Sequence, residues 1–283
     1  MLGATLANEL SEHYKISATG NSNFDGQHNN YLKFDLEEKC YDKLINWSDP
    51  DIVIHCAAIT NGNECDANPR KANLINGNSV QKIIQSTSDD TRIIYISSDA
   101  VFASSLSMAN EEDSTCPESA YGKSKELGEK FLKESERKYH IIRTTIVGQN
   151  INKNKTSFIE WIIDSSLRKK PIGLFNDVFF TPITTWDLCY EIKHIISGDV
   201  VPGTYHISGT EKITKYQFGI RLLNKLNYLT NNISKSRIGD FKLRAKRSSD
   251  QSLDSTKYQQ LTNRNLPDIN TTINSLKAKF YDK

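Results

Sequence analysis

The chain lacks the features that would mark several common protein classes. No apolar run in its 283 residues approaches the length of a membrane span. The N-terminus reads as an amphipathic helix rather than a signal peptide. Cysteine is sparse and odd in number, five in all, at positions 40, 56, 65, 116 and 189. None of these forms a Cys-x-x-Cys pair, so neither a disulfide framework nor a zinc site is expected, and a reduced cytoplasmic protein is. The six histidines are scattered without metal-ligand spacing. Charge of one sign is not in excess: the net charge is +2, which supplies no basic field for nucleic acid. Internal repeats and low-complexity segments are absent as well.

What is present is an alternation of helical and extended patterns. Leu2, Leu6 and Leu10 stand at helical spacing, with the helix expected over 2–14. Strands are expected at 15–19, 31–35, 51–58, 92–96, 140–144 and 203–207. Helices are expected at 41–47, 69–86, 120–138, 157–167, 185–196 and 215–226. Alternating strands and helices predict an α/β fold with a doubly wound parallel sheet flanked by helices. Up to about residue 150 the rhythm is regular; beyond it the pattern loosens into what reads as a smaller second domain, 151–283. A basic stretch, 242–247, is either a solvated surface or a clamp for a diphosphate.

The chemistry concentrates in two runs. Tyr121 is the only tyrosine with a lysine four residues ahead, Lys125, and that spacing puts both on one face of a helix. A lysine ammonium close to a phenol favours the phenolate and lowers its pKa, which would make Tyr121 a general acid near neutral pH. Upstream, Arg92 to Ile96 is a β-prone run that ends in Ser97, Ser98 and Asp99. Ligands bind outside the carboxyl ends of strands in open parallel sheets. The Ser98 hydroxyl could there hold a carbonyl oxygen beside the acid.

With these residues in place, the chain resembles an extended short-chain dehydrogenase/reductase, and within that superfamily the dTDP-4-dehydrorhamnose reductase-like, sugar-nucleotide-binding branch. The resemblance rests on Asp51 to Thr60, on Asn76, on Ser97-Ser98-Asp99-Ala100-Val101-Phe102, and on Tyr121-Gly122-Lys123-Ser124-Lys125 followed by Gly128-Glu129. It extends through Arg143-Thr144-Thr145, Gly203 to His206, and Ser252 to Ser255. It implies that NADP or NAD delivers hydride to a keto carbon of a nucleotide-linked sugar. Tyr121 would protonate the oxygen, Lys125 would tune Tyr121 and hold the cofactor ribose, and Ser98 would bond the carbonyl. It also implies cofactor contacts from Gly3, Asp35, Leu36, Cys56, Ala57, Ala58, Thr60 and Asn76. Asp99, Val101, Phe102 and Arg247 would contact substrate. No metal is implied, and a homodimer is compatible with the branch.

One match and three departures narrow the reading. Asp99 is followed by Ala100 rather than the Glu of the sugar-nucleotide dehydratases, which favours reduction. Ile146 stands where the branch often has Trp, and Arg247-Ser248 where it often has Arg-Pro. The third departure is at the front. Met1-Leu2-Gly3-Ala4 resembles only the last part of the glycine-rich turn, with Gly3 as the glycine for close helix packing. The first strand and two glycines of the family pattern have no counterpart, which suggests a misassigned start or a truncated product. The strands at 15–19 and 51–58 are then expected to stay unpaired with each other. A nucleotide-sugar epimerase and a non-catalytic dinucleotide-binding subunit remain alternatives.

Overall fold

A computed structural model describes residues 1–23, 30–150, 155–241 and 248–281. The first half contains α1 (Leu2–Leu10), β1 (Ala18–Gly20), β2 (Tyr31–Lys33), α2 (Asp42–Ser48) and β3 (Ile52–His55). Next come α3 (Gly62–Ala67), α4 (Pro69–Ala72), a π-helical turn (Asn73–Asn78) and α5 (Ser79–Ser86). β4 (Arg92–Ile96), α6 (Ala120–Lys133) and β5 (Tyr139–Arg143) complete it. The second half contains β6 (Ile146–Val147), α7 (Phe158–Leu167), β7 (Ile172–Phe175), β8 (Phe179–Phe180), β9 (Ile183–Thr184) and α8 (Thr185–Ile196). It continues with β10 (Gly203–His206), β11 (Ile213–Thr214), α9 (Lys215–Lys225), β12 (Ile233–Ser236), β13 (Asp250–Gln251), α10 (Thr256–Thr262) and α11 (Ile269–Tyr281).

The central sheet is parallel, in the order β10-β5-β4-β3. β4 shows why it is buried on both faces. Ile93 and Tyr95 point into a cluster with Val80, Ile83, Leu132 and Ile141. Ile94 and Ile96 point the other way, into a cluster with Leu2, Leu6 and Leu10 of α1 and Leu188, Ile192 and Ile195 of α8. Alternate residues of a strand face opposite sides, so a run apolar at every position suits a sheet sandwiched between helices. Each such side chain contributes about 1.5–3 kcal/mol by burial. β1 and β2 pair in parallel as a separate two-stranded sheet, apart from β3.

The expected elements are present with mostly shorter bounds, the strand at 15–19 is displaced to Ala18–Gly20, and α10 and α11 carry no expectation from the sequence. The first helix ends at Leu10 rather than residue 14, and the 120–138 helix ends at Lys133, before Glu134 as its C-cap. One difference is of kind. The segment 69–86 is continuous helix but carries the π turn at Asn73–Asn78, where apolar periodicity alone shows only a helix.

The second half is built on two clusters. One joins Ile159, Phe180, Phe218, Leu222, Ile273 and their neighbours; the other joins Ile162, Leu174, Leu223 and Ile233. β10 belongs to this half of the chain yet pairs with β5, so the later segment returns to the central sheet.

Candidate active site

The site lies at the carboxyl end of β4. Ser97, Ser98 and Asp99 follow the strand, and Ser98 is the N-cap of a 3-10 turn, Asp99–Val101, where its Oγ accepts from the Ala100 amide at 3.2 Å. α6 crosses this end, capped by Ser119, whose Oγ accepts from Gly122 N at 3.1 Å. Two glycines allow the approach. A Cβ on Gly122 would stand 2.1 Å from Ala100 O, and one on Gly128 would stand 2.5 Å from Tyr95 Oη. No side chain fits either position without moving the helix.

That close approach brings Tyr121 to the side of Ser98, whose hydroxyl acts on the phenol against burial. Ser98 Oγ in turn donates to Asp99 Oδ1 at 2.6 Å. Asp99 Oδ2 accepts from Thr145 Oγ1 at 2.7 Å. Asp99 is buried, and burial raises its pKa against these hydrogen bonds and the charge of Lys215. Neither Thr145 nor Lys215 is singled out in the sequence for this contact. The Arg143-Thr144-Thr145 run at the end of β5 is the one available signal for Thr145.

Lys125 corrects one expectation. Burial brings its ammonium down to about 7, with Glu129 and Cys56 pulling it back up. Its Nζ lies 4.0 Å from the centroid of the Tyr95 ring. Tyr121 is not lowered by Lys125: burial raises the phenol, and the neighbouring Ser98 hydroxyl opposes the rise. Four-residue spacing gives a shared face, but Tyr95 underneath draws the ammonium inward.

A buried ionic cluster supports the site from below. Glu129 Oε1 accepts from Ser97 Oγ at 2.6 Å and from Arg143 Nε at 3.0 Å, and Oε2 accepts from Arg143 Nη2 at 2.7 Å. Arg143 also lies over the Phe102 ring at 4.8 Å. Val101 and Phe102 are packed with Ala109 and Leu253 in a small core, so their side chains hold the loop instead of lining an open cleft. Arg247 and the basic stretch 242–247 lie outside the described residues.

The remaining expected cofactor contacts gather around α1, β3 and the π turn. Asn76 is fully buried in the π turn. Its Oδ1 accepts from Ile59 N at 2.8 Å, and its Nδ2 donates to Ile59 O at 3.0 Å and Ser124 Oγ at 2.9 Å. Asn76 thereby fixes the strand-end segment Cys56, Ala57, Ala58 and Thr60 against α6. Gly3 begins α1 beside Cys56, but a Cβ there would meet Cys56 Cβ at an ordinary 3.5 Å. The close packing expected to require Gly3 is therefore not found. Asp35 lies in a turn, where its Oδ1 accepts from Glu37 N at 2.9 Å, and Leu36 O accepts from Tyr41 Oη at 2.8 Å. A dinucleotide fits this end of the sheet in one respect: the first turn of α1 lies against the carboxyl end of β3, with Gly3, Ala57 and Thr60 exposed. No metal-binding cluster is found among the described residues.

A hydroxyl, a phenol and a buried lysine at the carboxyl edge of a parallel α/β sheet define a short-chain dehydrogenase/reductase type of site. Within that class the chain belongs to the RmlD substrate binding domain family, whose model matches residues 1–281. It is 30% identical over 178 residues to spore coat polysaccharide biosynthesis protein SpsK of Bacillus subtilis, covering 62% of this chain and 61% of that protein. It is 30% identical over 196 residues to the dTDP-4-dehydrorhamnose reductase of Escherichia coli, covering 63% of this chain and 64% of that enzyme. It is also 26% identical over 199 residues to the rat methionine adenosyltransferase 2 subunit beta, covering 68% of this chain and 59% of that one. The aligned stretches thus span about three fifths of these relatives' lengths. In fold it is similar to the Bacillus anthracis dTDP-4-dehydrorhamnose reductase solved with NADP, with a TM-score of 0.82 at 22% identity, covering 97% of this chain and 95% of that one.

Proposed function

We propose that this protein reduces a nucleotide-linked 4-keto-6-deoxysugar with NADPH or NADH, in the biosynthesis of a surface polysaccharide. The observation that carries the reading is the close approach of α6 to the Ser98–Val101 turn at the end of β4, which sets Tyr121 beside Ser98, with Lys125 buried one turn along the same helix. The family, and relatives named as a reductase and as a polysaccharide biosynthesis protein, support it. Two domains divided near residue 150, a cytoplasmic location and a homodimer belong to the same proposal.

When bound, the nicotinamide cofactor supplies the hydride. The chain's own residues supply position and the proton. Gly3, Cys56, Ala57, Ala58 and Thr60 would hold the cofactor at the strand ends, and Lys125 its ribose. Tyr121 delivers a proton to the carbonyl oxygen. Its raised pKa keeps it protonated at neutral pH, which suits an acid that must start with its proton. Asp99 without a following carboxylate leaves no acidic pair of the kind used to eliminate water.

The test is stoichiometry. Incubation with dTDP-4-dehydrorhamnose and NADPH or NADH should consume one reduced cofactor per sugar reduced. Sugar interconversion without net cofactor consumption would instead identify an epimerase. The similarity to a methionine adenosyltransferase beta subunit favours one second reading, a non-catalytic partner subunit. Cofactor binding with no turnover of any keto-sugar nucleotide would favour it.

A further inference from the structure

One residue before Ser98 stands a buried hydroxyl with no part in the chemistry described above. Ser97 Oγ donates to Glu129 Oε1 at 2.6 Å, and both side chains are almost fully buried. We propose that Ser97 is a positioning residue: its hydrogen bond to the Glu129–Arg143 pair fixes the roll of the β4 end and so aims the Ser98 hydroxyl at the substrate carbonyl. This role rests on the reductase reading above and adds a residue to it.

Successive side chains of a strand point to opposite faces. Ile93 and Tyr95 face the cluster that Leu132 of α6 joins, and Ser97 continues their row toward Glu129 of the same helix. Ser98 keeps an extended backbone, φ −147° and ψ 156°, so its side chain leaves the strand on the other side. A roll of the strand end about its own axis moves both hydroxyls together. A bond that holds Ser97 therefore sets the direction of Ser98. The backbone is anchored at the same residue, because the Ser97 amide donates to Ile142 O at 2.7 Å. After Ser98 the chain turns away from the strand in the 3-10 turn Asp99–Val101.

The acceptor is itself immobilised. Glu129 Oε1 also accepts from Arg143 Nε at 3.0 Å, and Oε2 accepts from Arg143 Nη2 at 2.7 Å and Lys133 Nζ at 3.2 Å. His206 backs Arg143: its Nδ1 lies 2.9 Å from Ala109 O, and its Nε2 lies 3.4 Å from Arg143 Nη1. A neutral ring that donates at Nδ1 leaves Nε2 to accept from the guanidinium. Glu129 stands four residues after Lys125, on the same face of α6. One carboxylate thus ties the strand end that carries Ser98 to the helix that carries Tyr121 and Lys125. Both of its oxygens bond Arg143, so loss of the Ser97 hydroxyl leaves the ion pair in place and frees the strand end.

Ser97→Ala removes that hydroxyl. With dTDP-4-dehydrorhamnose and NADPH or NADH, kcat should fall about 10-fold, while the cofactor Kd from titration stays within about 2-fold. Ser97→Thr and Ser97→Val introduce side chains of one shape that differ in the hydroxyl. Ser97→Thr should keep kcat within about 3-fold of wild type and Ser97→Val should not. This pair carries the test if Ser97→Ala does not fold. A cycle with Ser98→Ala isolates the path: once the Ser98 hydroxyl is gone, adding Ser97→Ala should cost less than about 2-fold more. Unchanged kcat in Ser97→Ala, Ser97→Val equal to Ser97→Thr, or losses that multiply in the double variant would overturn the role. So would matching losses of kcat and cofactor affinity, the mark of a general distortion. A wild type that reduces no keto-sugar nucleotide would overturn the reductase reading itself, and the positioning role with it.

Discussion

The guanidinium of Arg143 lies edge-on against the carboxylate of Glu129, with Nε to Oε1 at 3.0 Å and Nη2 to Oε2 at 2.7 Å. Both side chains are almost fully buried, and the pair ties α6 to the end of β5. Removing one partner of such a pair leaves a buried charge unmatched. Arg143→Ala should lower unfolding free energy by about 3–5 kcal/mol, measured by urea denaturation, and Glu129→Gln by a similar order.

The same pair sets an acid limit. Glu129 is held below the usual glutamate range, chiefly by Arg143 working against burial. A carboxyl with a depressed folded-state pKa contributes stability that is complete above its unfolded value, about 4.3, and is lost as pH falls through the folded value. Denaturation midpoints recorded across that range should fall in wild type and stay flatter in Glu129→Gln.

His55 and His206 act at higher pH. Burial lowers both from 6.5 to about 3, helped by Lys125 for His55 and by Arg143 for His206. Between about 3 and 6.5 the unfolded chain binds these protons and the native protein does not, so stability rises with pH across that window. Each histidine should remove about 1.4 kcal/mol per pH unit on acidification. Thermal melts of a His206→Gln variant should show a shallower slope than wild type between pH 4 and 6, with His55 and the likewise lowered His140 still contributing.

Tyr121→Phe removes one hydroxyl at the site. The turnover number with a keto-sugar nucleotide should fall about 10²–10⁴-fold, with an unchanged circular dichroism spectrum. Activity within a factor of about two would remove Tyr121 from the chemistry.

Gly122→Ala puts a methyl group where Ala100 O already lies, 2.1 Å away. The helix and the Ser98–Val101 turn must separate. A loss of about 1–3 kcal/mol of stability is expected, with a larger relative loss of turnover than of cofactor affinity. Calorimetry and cofactor titration measure the two effects.

Local patterns reported local structure faithfully. The Arg92 to Ile96 run is β4 at the same bounds, and Thr185 to Ile196 is α8 at the same bounds. The serine at the strand end and the tyrosine on the following helix are brought together, because the sheet places strand ends and helix starts on one side. Distant pairings were not legible. Thr145 meets Asp99 across 46 residues, and Arg143 reaches His206 Nε2, 3.4 Å away, across 63. Nothing in residue spacing encodes such contacts. Lys125 is the reverse case: its spacing sets it on the face of Tyr121, while the ring under its ammonium, Tyr95, lies on another element that spacing does not reveal.

The π turn at Asn73–Asn78 is one residue of slack in an otherwise regular cylinder. Each residue turns an α-helix by about 100°, so the extra one lets two faces serve different masters. Ahead of it Ala72 is buried; at the turn Asn76 reaches back to Ile59 and across to Ser124; beyond it Val80 and Ile83 enter the core. Loss of one codon within the turn would restore a plain helix and rotate Val80 and Ile83 off their cluster. The segment can therefore tolerate substitution on its outer side far better than a change in length.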